Sequence, residues 1–212
     1  MKELTCQKFL ELLASSSPVP GGGGACALVG AAGVALASMV ANLTVGKKKY
    51  ESVQEEVKAI VERANSLRAL FLDLVEEDAR GFEPLSKAYS LPRDTEEEKR
   101  VRERILEEAL IGACSAPLKI MRACLDSLSL HEELAEKGTK IAISDVGTGA
   151  VLLKAALLGA SLNVFSNTRL MKNAEKARTL NSQAEEILEK GLKQADQVIQ
   201  RVANYLKSPS RS

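Results

Sequence analysis

Ser16-Ser17-Pro18-Val19-Pro20-Gly21-Gly22-Gly23-Gly24 opens a stretch that carries no charge until Lys47. Two prolines stiffen the turn, and four glycines then lead into a run of Ala, Val, Leu and Gly. Consecutive glycines are costly to order, because glycine loses more backbone freedom on folding than any other residue. A chain that keeps them at the mouth of a helix needs bare backbone there. Either another backbone packs tightly against them, or a ligand must approach the amide groups.

Behind the turn, the spacing predicts a helix from about Gly23 to Val45 that is apolar on every side, and such a helix must be surrounded by other elements. Small residues recur along it at Ala27, Ala31 and Ala35, and on a neighbouring track at Gly33 and Ala37, which lets another helix come close. A second nearly uncharged run, from Ser144 to Thr168, repeats the pattern with Ala156 and Ala160, or Ala155 and Gly159. The other segments are amphipathic. A short first helix shows Leu4, Phe9, Leu12 and Leu13 on one face, and the last, from about Met171 to Leu206, carries Leu180, Ala184, Ile187 and Val198.

Between the two apolar runs, a long stripe reads Val53, Val57, Ile60, Ala64, Leu67, Phe71, Leu74, Asp78, Phe82, Leu85 and Tyr89, with Gly81 and Pro84 as points of kink or break. Thr95-Glu96-Glu97-Glu98 is a capping box that opens a helix through Met121, kinked at Pro117. Ser129 to Gly138 then reads as a polar connection holding the sole histidine, His131. No segment alternates with a period of two. The expected fold is all-α, a multihelical array in which amphipathic helices surround two buried central ones, with residues 1–212 forming one domain.

Composition narrows the function. The net charge is +1, from 29 basic and 28 acidic residues, and aromatics make up 3% with no tryptophan. That balance argues against nucleic acid or an anionic membrane as the main partner. Gly21 to Gly46 is long enough to span a bilayer, but it contains Asn42 and Thr44 and lacks an aromatic belt, so a core helix is the better reading. Met1 to Ser15 is charged and amphipathic, unlike a secretory leader. Cys6, Cys26, Cys114 and Cys124 have no metal-binding spacing and read as reduced core residues of a cytoplasmic protein. No metal site is expected, so carboxylates, lysines, amides and backbone groups must carry any chemistry.

Asp78 occupies a position that the stripe reserves for a hydrophobe, and desolvation there would raise its pKa toward a useful range. An ion pair at the helix rim is the plainer alternative. Asp145, after Ser144, stands where an N-cap or an anion-binding helix start would lie. Asn163 and Asn167 are one turn apart and need partners, from backbone or from a polar ligand. Lys47, Lys48 and Lys49 form either a solvated basic turn or a grip for carboxylates. The glycine run itself matches no phosphate-binding loop, since no Gly-Lys-Ser/Thr follows it.

Taken together, these pieces resemble the cyclodeaminase family: the C-terminal domain of formiminotransferase-cyclodeaminase and the stand-alone methenyltetrahydrofolate cyclohydrolases. The resemblance runs from Phe9 to about Asn173. It rests on the order of Ser17-Pro18-Val19-Pro20-Gly21-Gly22-Gly23, Gly46-Lys47-Lys48-Lys49-Tyr50, Glu77-Asp78, Leu91-Pro92, Arg102, Ala116-Pro117-Leu118, Ser144-Asp145 and Leu162-Asn163-Val164 with Asn167. It implies a homodimer, no tightly bound cofactor, and a tetrahydrofolate derivative, with or without a polyglutamate tail, as substrate. The implied reaction turns 5-formiminotetrahydrofolate into 5,10-methenyltetrahydrofolate and ammonia; relatives interconvert the methenyl and 10-formyl forms. Asp78 or Asp145 would then be the proton carrier, with the other orienting the pterin or polarising the amidine. Pro20, Gly21, Gly22 and Gly23 would form a wall for the pterin together with Ser144, Asn163 and Asn167. Lys48 and Arg102 would meet the carboxylates of the folate tail. Gly24 stands where the family often has Ser, and Thr139 where it commonly has Asn. A helical binding or scaffold protein without catalysis is the rival, and a carboxylate on the apolar stripe speaks against it.

Overall fold

The computed structural model describes residues 1–209. Its elements are α1 (Cys6–Leu13), α2 (Gly22–Thr44), a 3₁₀ turn (Lys48–Val53), α3 (Gln54–Tyr89), α4 (Glu96–Ala113), α5 (Ser115–Lys137), a second 3₁₀ turn (Lys140–Ala142), α6 (Ile143–Thr168) and α7 (Ala174–Lys207). No strand occurs among the described residues. The chain is all-α, as its periodicities predict.

Glycines set the two closest contacts of α2. Gly30 leaves room for the Phe71 ring of α3. Gly33 lies on α6, where an added Cβ would stand 3.1 Å from the Gly149 carbonyl; one at Gly149 would stand 3.0 Å from the Gly33 carbonyl. Backbones come that close only where side chains are missing. Both neighbours run antiparallel to α2. Along α3, Ser38 meets Asn65 at 3.4 Å, Gly30 meets Phe71, and Gly23 meets Asp78. The same register that buries Ile60, Ala64, Phe71 and Leu74 therefore delivers Asp78 to the start of α2. Each of the larger of these side chains contributes about 1.5–3 kcal/mol when fully buried, so slippage by one turn is strongly disfavoured.

Several local expectations need correction. The helix that Thr95 opens does have its capping box, but it ends at Ala113, and α5 is a separate helix rather than a continuation kinked at Pro117. Asn167 donates to the Ala113 carbonyl at 3.2 Å and so satisfies the end of α4. Pro117 is the third residue of α5, where its missing N–H has no intrahelical partner to lose. Ser129 to Lys137 is helical, not a polar connection, and His131 is fully buried within it. Pro84 lies inside an uninterrupted α3 on its exposed side. The last stripe position is taken by Ala88, leaving Tyr89 exposed. Cys6 is exposed and Cys26 half-buried; only Cys114 and Cys124 are core residues.

Encirclement of α2 and α6 is incomplete. Both are long and apolar enough to cross a membrane by length and composition, yet only 56% and 44% of their most apolar stretches are buried. On α2 the open face includes Ala32, Met39 and Leu43; on α6 it includes Val151, Ala155, Leu158 and Leu162.

Candidate functional site

A cavity of about 200 Å³ lies where the proline-glycine turn meets α3, the α4–α5 junction and the end of α6. Gly21 is the N-cap of α2 and offers no side chain to its first turn. Gly22 and Gly23 thus line the cavity with the positive end of the helix behind them, while the Gly24 amide donates to Asp78. Asp78 fills the place of the missing cap. A methyl group at Gly23 would overlap the Asp78 carboxylate, so that glycine is required by what faces it. Burial pushes the Asp78 carboxyl above the ordinary carboxylate range, and the Gly24 amide beside it offsets only part of that rise. The neighbouring Glu77 is occupied elsewhere: it pairs with Lys119 at 2.5 Å.

The far wall is α6. Asn163 donates to the carbonyl of Gly159 at 2.8 Å, which turns its amide toward Gly22; a Cβ on Gly22 would be 3.5 Å from Oδ1. Asn167, one turn on, uses its nitrogen to cap Ala113. The amide oxygens of both remain as acceptors beside a carboxylate and the first turn of α2. Such an array suits a flat heterocycle that carries both donors and acceptors. Phe82, Pro18 and Val19 supply the apolar side and continue onto an open shelf of about 370 Å³ with Arg80 and Lys87 at its rim.

Of the residues expected from the sequence, the structure brings together Gly21, Gly22, Gly23, Asp78, Asn163 and Asn167. Pro20 lies buried behind them, 3.4 Å from where a Cβ on Gly24 would project. Four others lie elsewhere in the protomer. Asp145 and Ser144 begin α6, about five turns and 27 Å from Asn163. Asp145 is not an N-cap, a position held by Ala142, and it makes no hydrogen bond or ion pair among the described residues. Lys48 follows α2 at that same remote end. Arg102 is half-buried on α4, about 16 Å along the axis from Ala113, the one α4 residue in the cavity wall.

The remote end is itself well built. The Thr139 amide donates to Thr44 Oγ1 at 2.9 Å, Lys47 donates to Thr139 Oγ1 at 3.2 Å, and the Lys140 amide donates to the Tyr50 hydroxyl at 3.2 Å. Burial opposes ionisation of Tyr50, but hydrogen bonding from the Lys140 amide and the Thr139 side chain, with the ammonium groups of Lys49 and Lys140, outweighs it and holds the phenol below its usual value.

Residues 5–186 match the family model for formiminotransferase-cyclodeaminase. The chain belongs to that family. It is 44% identical over 165 residues to a methenyltetrahydrofolate cyclohydrolase of Methylorubrum extorquens, covering 78% of this chain and 79% of the relative. It is 31% identical over 169 residues to the formimidoyltransferase-cyclodeaminase of Rattus norvegicus, of which it spans 31%. A crystal structure of formiminotetrahydrofolate cyclodeaminase from Thermotoga maritima superimposes with a TM-score of 0.81 at 34% identity, over 97% of both chains.

Within this family frame the two departures acquire positions. A side chain at Gly24 would stand 3.9 Å from Asp78 Oδ2, so a serine there would place its hydroxyl at the carboxylate. Thr139 is at the remote end and positions Lys47. Phe82, Ser166, Ala113 and Pro117 also line the cavity, and the first two carry a signal in the sequence. Phe82 is one turn beyond Asp78 and Ser166 one turn beyond Asn163, both on helix faces already singled out. Ala113 and Pro117 enter through a helix break that periodicity does not show.

A larger groove of about 910 Å³ lies between α5 and α7. Arg201 pairs there with Glu136 at 2.5 Å, Asp196 with Lys154 at 2.6 Å, and Gln194 donates to Glu132 at 2.9 Å. It holds none of the residues that the sequence singles out as site candidates.

Proposed function

We propose that this protein is a methenyltetrahydrofolate cyclohydrolase, interconverting 5,10-methenyl- and 10-formyltetrahydrofolate. The carrying observation is the half-buried Asp78 carboxylate, raised in pKa and facing the Gly22–Gly24 amides across a pterin-sized space. Water adding to the methenyl carbon loses one proton. The hydroxyl so formed loses its own as the formyl C=O forms and the C–N5 bond breaks; N5 gains one, and one proton is released to solvent. One carboxylate poised above its ordinary range serves these transfers. The Gly22 and Gly23 amides and the Asn163 and Asn167 oxygens hold the heterocycle so that its bridge carbon faces Asp78. The relative at 44% identity, matched over most of both chains, supports this substrate.

A second reading is favoured by the superposition on formiminotetrahydrofolate cyclodeaminase: closure of 5-formiminotetrahydrofolate with loss of ammonia. The same carboxylate would take the N10 proton and return one to the departing amine. The methenyl chromophore separates the two. Its decay on adding 5,10-methenyltetrahydrofolate supports the first reading, its growth from 5-formiminotetrahydrofolate the second. Folate binding with neither change would mark a scaffold protein. We place the protein in the cytoplasm as a homodimer, with residues 1–212 as one unit and the folate tail leaving over the Phe82 shelf.

A further inference from the structure

Beyond the cavity, α3 and α4 form a hairpin with a small core of its own. Leu85 and Ala88 of α3 pack there with Ala109 and Leu110 of α4, apart from the main core. Both roots of the hairpin stand in the cavity wall: Phe82 on the outgoing helix and Ala113 at the end of the returning one. Its seat on the rest of the protein therefore positions one side of the cavity. That seat is narrow. Among the described residues, Met171 is the one hydrophobe outside residues 82–113 that packs on the hairpin core, and it packs on the main core as well. The polar part of the seat is Glu107, half-buried on α4. Its Oε2 accepts from the Lys172 amide at 2.8 Å and its Oε1 from the Asn173 amide at 3.0 Å.

Asn173 is the N-cap of α7 and Lys172 the residue before it, at a helix start whose backbone donors lack intrahelical partners. The Asn173 side chain accepts from the Lys176 amide at 2.9 Å, so it leaves its own amide to a group from another helix. Two adjacent N–H donors at the positive end of a helix suit a carboxylate, which offers one oxygen to each; a glutamine would offer only one. Glu103, one turn earlier, pairs with Lys172 Nζ at 2.5 Å, but both side chains are exposed and such a pair contributes little. Six residues beyond Glu107, about 9 Å along the axis, the Ala113 carbonyl accepts from Asn167 Nδ2 at 3.2 Å. With Nδ2 held, Asn167 keeps Oδ1 as the free acceptor in the cavity wall. With that carbonyl displaced, the carboxamide can turn and offer a donor instead. We infer that Glu107 is a positioning residue for the cavity. It fixes α4 against the α6–α7 corner and, through the Ala113 carbonyl, fixes which atom of Asn167 meets the ligand. The inference rests on the proposed function only for the identity of that ligand, a reduced folate.

A double-mutant cycle tests it. Glu107→Ala should raise KM for 5,10-methenyltetrahydrofolate about tenfold, with a smaller change in kcat. Asn167→Ala should raise KM by a similar factor, and the double variant should be no worse than Asn167→Ala alone, since both act through one contact. Additive effects on KM overturn the inference, because a residue that only stabilises the fold does not act through Asn167. Glu107→Gln should show most of the loss and carries the same cycle should the alanine variant not fold; wild-type kinetics in Glu107→Gln overturn the need for a carboxylate. Glu103→Ala, which breaks only the exposed pair, should keep wild-type kinetics. A second readout needs no turnover. The Asn167 side-chain amide, identified in nitrogen–proton correlation spectra by its loss in Asn167→Ala, should exchange with solvent about tenfold faster in the Glu107 variants. An unchanged exchange rate overturns the inference. If the wild-type protein turns over neither folate, the proposed function fails, while this amide signal still decides the role of Glu107.

Discussion

At the residue scale, Asp78 is held at a cost. Its carboxyl lies above the ordinary range in the folded chain, so the native state binds a proton more tightly than the unfolded one. The stability it contributes is therefore greatest when protonated and is lost as pH rises through the folded value. Asp78→Asn should raise the melting temperature at neutral pH while lowering turnover about a hundred- to ten-thousandfold. Denaturation and initial-rate measurements on one preparation check both signs. The turn glycines divide in the same way. Gly23→Ala should displace the carboxylate and depress kcat with little effect on folding. Gly24→Ala, whose nearest new contact is 3.4 Å away, should keep the fold and gain up to about 1 kcal/mol from helix propensity.

His131 shows the opposite linkage. Burial pushes its pKa down to about 4, while the Gly33 carbonyl accepts from Nε2 at 3.1 Å and holds the neutral ring. Folding then loses stability as pH falls from the unfolded value near 6.5 to about 4, by about 3 kcal/mol across that window. Urea titrations at pH 7 and pH 4 should differ accordingly, and His131→Gln should flatten the dependence. The cysteines take no part: burial raises the Cys26 and Cys114 thiols to about 11, which keeps them protonated and unreactive.

At the element scale, the decisive events are where helices stop. Thr95 closes a reciprocal capping box with Glu98, and Thr95→Ala should cost about 1 kcal/mol. Far more depends on the break at Cys114, because it turns α4 away and lets Ala113 and Pro117 enter the cavity wall. Asn167 secures that break from α6. Asn167→Ala should thus lower both stability and substrate affinity, whereas Asn163, bonded only to its own helix, should affect affinity alone. Comparing Kd and unfolding midpoints for the two variants separates the roles.

At the scale of the whole molecule, α2 and α6 keep an exposed apolar face among the described residues. Leu162→Glu places a charge on that face at an exposed position, so the folded protomer should survive while the proposed homodimer weakens. Sedimentation at micromolar concentration, with circular dichroism as a check on helicity, reads out both.

Much of this was legible from residue order. Hydrophobic periodicity alone required an all-α chain, marked α2 and α6 as central, and exposed Asp78 as the one charge out of place on its stripe. These are local properties, carried by repeats within one helix, and they survive without knowledge of the neighbours. What tertiary structure decided was distance. The same pattern that selected Asp78, Asn163, Lys48 and Asp145 could not say that α6 holds Asn163 about 27 Å from Asp145, or that Asp78 faces the start of α2 while Lys48 follows its end. Nor could it show that His131 is core, or that a helix ends at Cys114, since both follow from what packs against them. Periodicity reports which face of a helix is buried; only the packed chain fixes which ends meet.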